Sequence, residues 1–187
     1  MPEKSRPLRA DAARNRARVL EVAYETFAEE GLAVPIDEIA RRAGVGAGTL
    51  YRHFPTKEAL YGAVVVDRIR RFTERANELA DGDEPGAALR EFFAELVEAA
   101  SNQGLVEAMS GSGFDVAISA PDEEKAFLDA LQRLLTAAQR SGEIRADIDV
   151  RHVKALMVGC QAMQRYATDP DVPRQLLAVV WSGLRSP

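Results

Sequence analysis

A chain of 187 residues, 47% apolar and 28% charged, is long enough to bury a full core as one large or two small globular domains. It has no run near the roughly 18 apolar residues of a membrane span, no apolar stretch in Met1–Arg9 like that of a signal peptide, and one cysteine, Cys160, which excludes an internal disulfide and a multi-cysteine zinc cluster. The net charge of −5 is unevenly placed: residues 1–57 hold 10 Lys+Arg against 8 Asp+Glu, residues 58–187 hold 14 against 21, and residues 1–18 alone hold 6 against 2. Such asymmetry suits a small DNA-contacting head on an acidic body, because phosphate neutralisation is local. Chance clustering of solvated arginines accounts for the counts about as well. The expected compartment is the cytoplasm, with no metal, cofactor or membrane involved.

Strand signals are nearly absent and a 3.6-residue apolar period dominates, so the expected fold class is all-α, with about nine helices. Asp11 is placed to cap a first helix running to about Glu30 and stopped by Gly31, with Leu20, Ala23, Tyr24 and Phe27 on its buried face. Residues 35–54 then read as a short amphipathic helix, a glycine-bearing turn and a second short helix, which is the build of a helix-turn-helix. Pro55 breaks the chain and Thr56 caps a long helix to about Leu79, with Leu60, Val64 and Phe72 among its apolar positions. Asp81–Gly86 has the composition of a linker. Beyond it, helices are expected at about 87–101, 105–110, from Pro121 to the Ser141-Gly142 stop, from an Asp149 cap to about Tyr166, and, after Pro170 and Pro173, to near Leu184. The chain thus divides into an N-terminal arm with helix-turn-helix domain, 1–57, and a helical body, 58–187.

Within the helix-turn-helix, Pro35 suits a helix start and Asp37 and Glu38 complement the dipole of its first turn. Ala40 permits close helix crossing, and Gly44 ends the helix where positive φ is needed. Val45 and Leu50 point toward Phe27. The second helix opens at Gly46-Ala47-Gly48-Thr49, leaving Thr49, Tyr51, Arg52 and His53 as polar groups for DNA. A plain αα-corner is the ordinary alternative, but the polar, aromatic and basic outer face of the second helix favours DNA binding.

Three linked blocks, Arg18–Gly31, Ile36–Val45 and Gly48–Leu60 (Gly-Thr-Leu-Tyr-Arg-His-Phe-Pro-Thr-Lys-Glu-Ala-Leu), resemble in order and spacing the head of TetR-family transcriptional regulators. The resemblance covers about residues 14–62. It implies that Thr49, Tyr51, His53 and Lys57 meet operator phosphates or base edges, with Ala47, Gly48 and Arg52 on the same surface. Arg14 and Arg18, with the arm before them, then become backbone or minor-groove contacts. One departure stands out: many members carry a polar pair where this chain has Gly46-Ala47. Direct readout must therefore depend more on Thr49, Tyr51, Arg52 and Arg42, and on DNA shape.

The body resembles the family in helical architecture alone. Members act as homodimers, and the last two long helices are the natural interface, through Val153, Leu156, Cys160, Leu177, Val180, Trp181 and Leu184, with Ala155 and Gly159 as a small-residue step. Internal packing is the alternative for the same residues. Phe92, Phe93, Met109, Phe114, Met163 and Tyr166 could line a pocket for a lipophilic small-molecule effector, with Gln103, Gln161 and Gln164 as polar anchors, although most such side chains are simply core. The expected function is therefore a ligand-released repressor that binds double-stranded operator DNA as a homodimer. An enzyme is not expected: His53 and His152 lack ligand-spaced partners, Cys160 has no nucleophile signature, and no phosphate-binding fingerprint occurs. A helical small-molecule-binding or interaction protein without a role in transcription is the remaining alternative.

Overall fold

The computed structural model describes residues 5–99, 116–164 and 171–186. Among them the elements are α1 (Ser5–Glu30), a 3₁₀ turn (Gly31–Ala33), α2 (Ile36–Ala43), α3 (Ala47–His53), α4 (Lys57–Ala80), α5 (Pro85–Ala99), α6 (Val116–Ser119), α7 (Pro121–Arg140), α8 (Val150–Gln164) and α9 (Asp171–Leu184), and no strand. The all-α expectation holds. These residues form two compact units, the first ending at Arg68 and the second beginning at Ile69.

In the first unit α1 packs on α2 and α2 on α3. Leu20, Ala23 and Phe27 of α1, Ile39 and Ala40 of α2, Leu50 of α3, and Leu60, Tyr61 and Val64 of α4 are almost wholly buried. Each of the Leu, Ile, Val and Phe side chains among them is worth about 1.5–3 kcal/mol of burial. The Phe27 and Tyr61 rings meet edge to face at 6.0 Å, a favoured aromatic geometry. Burial pushes the Tyr61 phenol well above its usual range. Near the end of this unit, the Arg68 guanidinium stacks 3.4 Å over the Tyr24 ring and pairs with Glu21 at 3.1 Å, fastening α4 to α1.

Two boundaries in the first half differ from expectation. Asp11 does not start α1, which already runs from Ser5; Pro7 falls in the first turn, where no helical N–H is required of it. The arm before Arg14 is thus helical from Ser5 onward, and Asp11 pairs with Arg14 one turn along. Further on, α5 begins at Pro85 instead of Ala87, because proline suits the first helical position. What reads as a linker is a tight turn.

In the second unit α5 packs against α7 and α8, α8 also against α9, and α6 against α7. Leu89, Phe92, Phe93, Leu96 and Val97 of α5 meet Leu131, Leu134, Leu135 and Ala138 of α7 and Val153, Met157 and Cys160 of α8 in one core. Asp149 caps α8, its Oδ1 accepting from the Arg151 N–H at 2.9 Å and the His152 N–H at 3.2 Å. Gly142, at φ +83°, follows the end of α7. The chain's last described residues are stitched to that turn: the Arg145 N–H donates to the Leu184 carbonyl and the Ser186 N–H to the Glu143 carbonyl, each at 3.0 Å. The short α6 was not foreseen, and the helix expected at 105–110 lies outside the described residues. Pro173 lies inside the first turn of α9, not before it.

Candidate nucleic-acid interface

Local chemistry builds the helix-turn-helix. The Pro35 carbonyl accepts from the Glu38 and Ile39 N–H groups at 3.1 and 3.4 Å, opening α2. At its other end Gly44 has φ +65°, the Val45 N–H returns to the Ala40 carbonyl at 3.0 Å and the Gly44 N–H to Arg41 at 3.2 Å. That pair of bonds is a Schellman motif. Gly46 is extended, and its carbonyl accepts from Thr49 and Leu50 at 2.9 and 3.1 Å to start α3. Buried Ile39, Ala40, Ala43 and Leu50 lock the two helices at their crossing, and buried Phe54 anchors the exit, with the Arg16 guanidinium 5.7 Å over its ring.

Because Leu50 takes the inward position, α3 turns Gly48, Thr49, Tyr51, Arg52 and His53 to solvent, with Ala47 half-buried beside them. Tyr51 is 43% exposed, a large aromatic ring held out on a short rigid helix. That surface holds a hydroxyl, a phenol, a guanidinium and an imidazole, all able to donate to phosphate or base-edge acceptors. A Cβ built on Gly48 would meet nothing within 4 Å, so the chain's own packing does not demand glycine there. Arg14 and Arg18 are exposed on α1, and a Cβ at Gly44 would lie 3.6 Å from the Arg18 Nη2.

The remaining cations of this region are engaged within the chain. The half-buried Lys57 donates through Nζ to the Leu32 carbonyl at 2.6 Å, tying the start of α4 to the 3₁₀ turn. Arg42, a candidate for direct readout, pairs with Glu30 at 2.6 Å and Glu38 at 2.8 Å. Arg41 forks onto the same Glu38 carboxylate at 2.6 and 2.7 Å. Hydrogen bonds from Arg41, then Arg42, hold the Glu38 carboxyl down at about 2. Sequence reasoning passed over this cluster, although the i, i+3 and i, i+4 spacing of Glu38, Arg41 and Arg42 is the signal that finds it.

The body candidates separate by burial. Phe92 and Phe93 are inside the core, with Phe72 edge-on to Phe92 at 6.1 Å, while Met163 is 48% exposed. Met109, Phe114, Tyr166 and Gln103 lie outside the described residues, as do the side chains of Gln161 and Gln164. Of the interface candidates, Val153, Cys160 and Leu184 keep 1%, 4% and 4% of their surface, so they have almost none to offer a second chain. Leu156, Leu177, Val180 and Trp181 pack partly on the same core. The apolar groups that α8 and α9 leave in solvent are others: Val158 at 55%, Met163, Val172 at 36% and Val179 at 68%. Among the described residues no helix is long and apolar enough to cross a membrane, and no cluster of metal-ligating side chains occurs.

Residues 19–64 match the model of bacterial regulatory proteins of the tetR family. Residues 84–186 match that of the C-terminal domain of SbtR-like transcriptional regulators. A TetR transcription regulatory protein of Mycobacterium vanbaalenii has a similar structure, with a TM-score of 0.80 and 54% identity, covering 96% of this chain and 100% of that one. A TetR transcriptional regulator of Streptomyces coelicolor follows at a TM-score of 0.74 and 34% identity, covering 91% and 98%. An HTH-type transcriptional regulator of Staphylococcus aureus is 37% identical over 75 residues, and the match spans only 40% of either chain.

Proposed function

Because this chain belongs to the TetR family of bacterial transcriptional regulators, and is a DNA-binding regulator and not an enzyme, we propose that it is a repressor that binds a palindromic operator as a homodimer and leaves it on taking up a small lipophilic molecule. The observation that carries the DNA half is the outward face of α3, where Thr49, Tyr51, Arg52 and His53 surround a buried Leu50. In this division of labour residues 1–57 read DNA and residues 58–187 dimerise and take up the effector. Two α3 helices about 34–36 Å apart would enter successive major grooves. A single head covers too little DNA for strong specificity, which is the physical reason for pairing.

The exposed apolar residues of α8 and α9 support a two-fold, self-complementary interface. Ala155 is exposed and a Cβ on Gly159 would meet nothing within 4 Å, so that stretch of α8 admits close approach. For the effector, Phe92, Phe93 and Met163, with Met109, Phe114 and Tyr166, are the proposed lining. The aromatic and thioether character of that lining favours a lipophilic ligand. Since α4 runs from the first unit into the second, a ligand preferring one α4 arrangement would shift the population away from the DNA-binding one. An electrophoretic shift with DNA flanking the chain's own coding region tests the proposal. A salt-sensitive, sequence-dependent complex is expected, and its absence on every genomic fragment rejects the reading.

A further inference from the structure

Residues 35–57 contain four basic side chains of the Lys and Arg type: Arg41, Arg42, Arg52 and Lys57. Lys57 gives one of its three N–H donors to the Leu32 carbonyl. Arg41 and Arg42 converge on one carboxylate: Arg41 Nε and Nη2 take the two oxygens of Glu38 at 2.7 and 2.6 Å, and Arg42 Nε takes Oε1 at 2.8 Å. Glu30, at the end of α1, holds the other side of Arg42 at 2.6 Å. Among the described residues Arg52, on α3, is in no ion pair.

This arrangement is a surface network of four charges, with Arg41 72% and Glu30 42% exposed, and not a single isolated pair. One partner fork is bidentate, which adds direction as well as strength. The acid precedes both bases by one helical turn, the favourable orientation on a helix. Glu38 and Arg42 keep only 28% and 32% of their side-chain surface, and Arg42 is held from two helices. Hydrogen bonds from Arg41, then Arg42, lower the Glu38 carboxyl to about 2, so the acid keeps its charge across the neutral range.

The first helix of a helix-turn-helix crosses the phosphate backbone. Two free guanidiniums there would grip any duplex, since phosphate contacts carry no sequence information. Every such contact raises non-specific affinity and steepens its salt dependence by about 0.9 in log K against log salt. A regulator that must find its site among a genome's non-specific sites is harmed by that gain.

We propose that Glu38 is a specificity-determining residue that withholds Arg41 and Arg42 from DNA phosphates, keeping sequence-independent binding weak and leaving discrimination to the outer face of α3. The proposal rests on the DNA-binding reading above, and its test keeps the two apart. The full chain is titrated by fluorescence anisotropy against a random-sequence duplex between about 50 and 200 mM salt. Glu38→Gln is expected to bind that duplex at least about five-fold more tightly, with a salt slope steeper by about 0.9–1.8. Asp37→Asn removes the same charge one residue away from an acid in none of the described ion pairs, and is expected to show less than half that change. Arg41→Gln/Arg42→Gln keeps Glu38 and answers the question even if Glu38→Gln fails to fold. Its slope is expected to equal that of the unaltered chain, because those arginines are already withheld.

The proposal is overturned by Glu38→Gln matching Asp37→Asn, by Glu38→Gln binding more weakly, as it would if Glu38 oriented the arginines onto DNA, or by the double arginine variant losing about 0.9 or more of slope. If neither the unaltered chain nor Glu38→Gln binds this duplex at any salt, the clamp is rejected, and the DNA-binding reading falls with it only if the genomic fragments of the shift assay also go unbound. Normal binding with no change on substitution rejects the clamp alone.

Discussion

Lys57 reaches across 25 residues of sequence to the Leu32 carbonyl at 2.6 Å. A hydrogen bond from a charged donor contributes about 1.5–3 kcal/mol when buried. Lys57 is half in solvent, so about 1 kcal/mol is the reasonable share. Lys57→Met keeps the aliphatic stem and removes the donor, and should lower the thermal midpoint by a few degrees with no DNA present. A midpoint unaltered in circular dichroism would mean that the lysine acts on DNA alone. Gly44 offers a second residue-level test. Its φ of +65° is the left-handed region, and an alanine there is strained by about 1–2 kcal/mol. The added Cβ would stand at an ordinary contact distance, 3.6 Å, from Arg18 Nη2, so Gly44→Ala should act through the backbone. A reduced urea midpoint with an unaltered m-value is expected; an unchanged midpoint would show that the turn relaxes without cost.

At the scale of elements, local signals were legible wherever the chemistry is local. The Gly44 turn, the Thr56 cap, whose Oγ1 accepts from the Ala59 N–H at 3.1 Å, the Gly142 stop and the Asp149 cap all follow from single residues with one dominant conformational use. The start of α1 was misread because Asp11 is a good cap in the abstract, yet nothing from Ser5 to Ala10 forbids the helix from continuing upstream. Four residues, Val116–Ser119, are too few to display a period, so α6 left no trace in the pattern. Lys57 and Leu32 meet only once the first unit has folded, and no spacing rule connects them. Asp149 allows the cap reading to be tested with its sign worked out. Its carboxyl is held well below the usual carboxylate range, first by the Arg151 side chain and also by the His152 and Arg151 amides. A lowered folded value contributes stability that is fully present above the unfolded value of about 4 and is lost as pH falls through the folded one. Asp149→Ala should therefore melt a few degrees below the unaltered chain at neutral pH, with the gap narrowing below about pH 4. A gap of equal size in strong acid would assign the effect to something other than the charged cap.

For the whole molecule, the question is which residues of α8 and α9 hold the chain to itself and which would hold it to a second copy. Apolar periodicity marks both sets alike, because a stripe wide enough to cover a core and a partner surrounds most of the helix, and only burial divides it. Val153 retains 1% of its surface and packs with Leu131, Leu134 and Leu135, whereas Val158, five residues on, retains 55% and Val179 on the adjacent helix 68%. If these exposed valines meet their counterparts across a two-fold axis, each substitution appears twice, and Val158→Asp/Val179→Asp places four carboxylates in one apolar seam. Burying unpaired charge is costly enough that dimer affinity should fall at least about 100-fold, or roughly 2.7 kcal/mol. Operator affinity should fall with it, because the paired heads no longer arrive together. The helix content of the chain should be unchanged, since neither side chain supports its own core. Val153→Ala is the counterpart: it should lower folding stability by about 1–2.5 kcal/mol and leave association unaltered. Sedimentation across micromolar concentrations separates the two outcomes. A double variant that remains dimeric would move the interface to another face, and a Val153→Ala that dissociates without melting earlier would return it to the buried stripe.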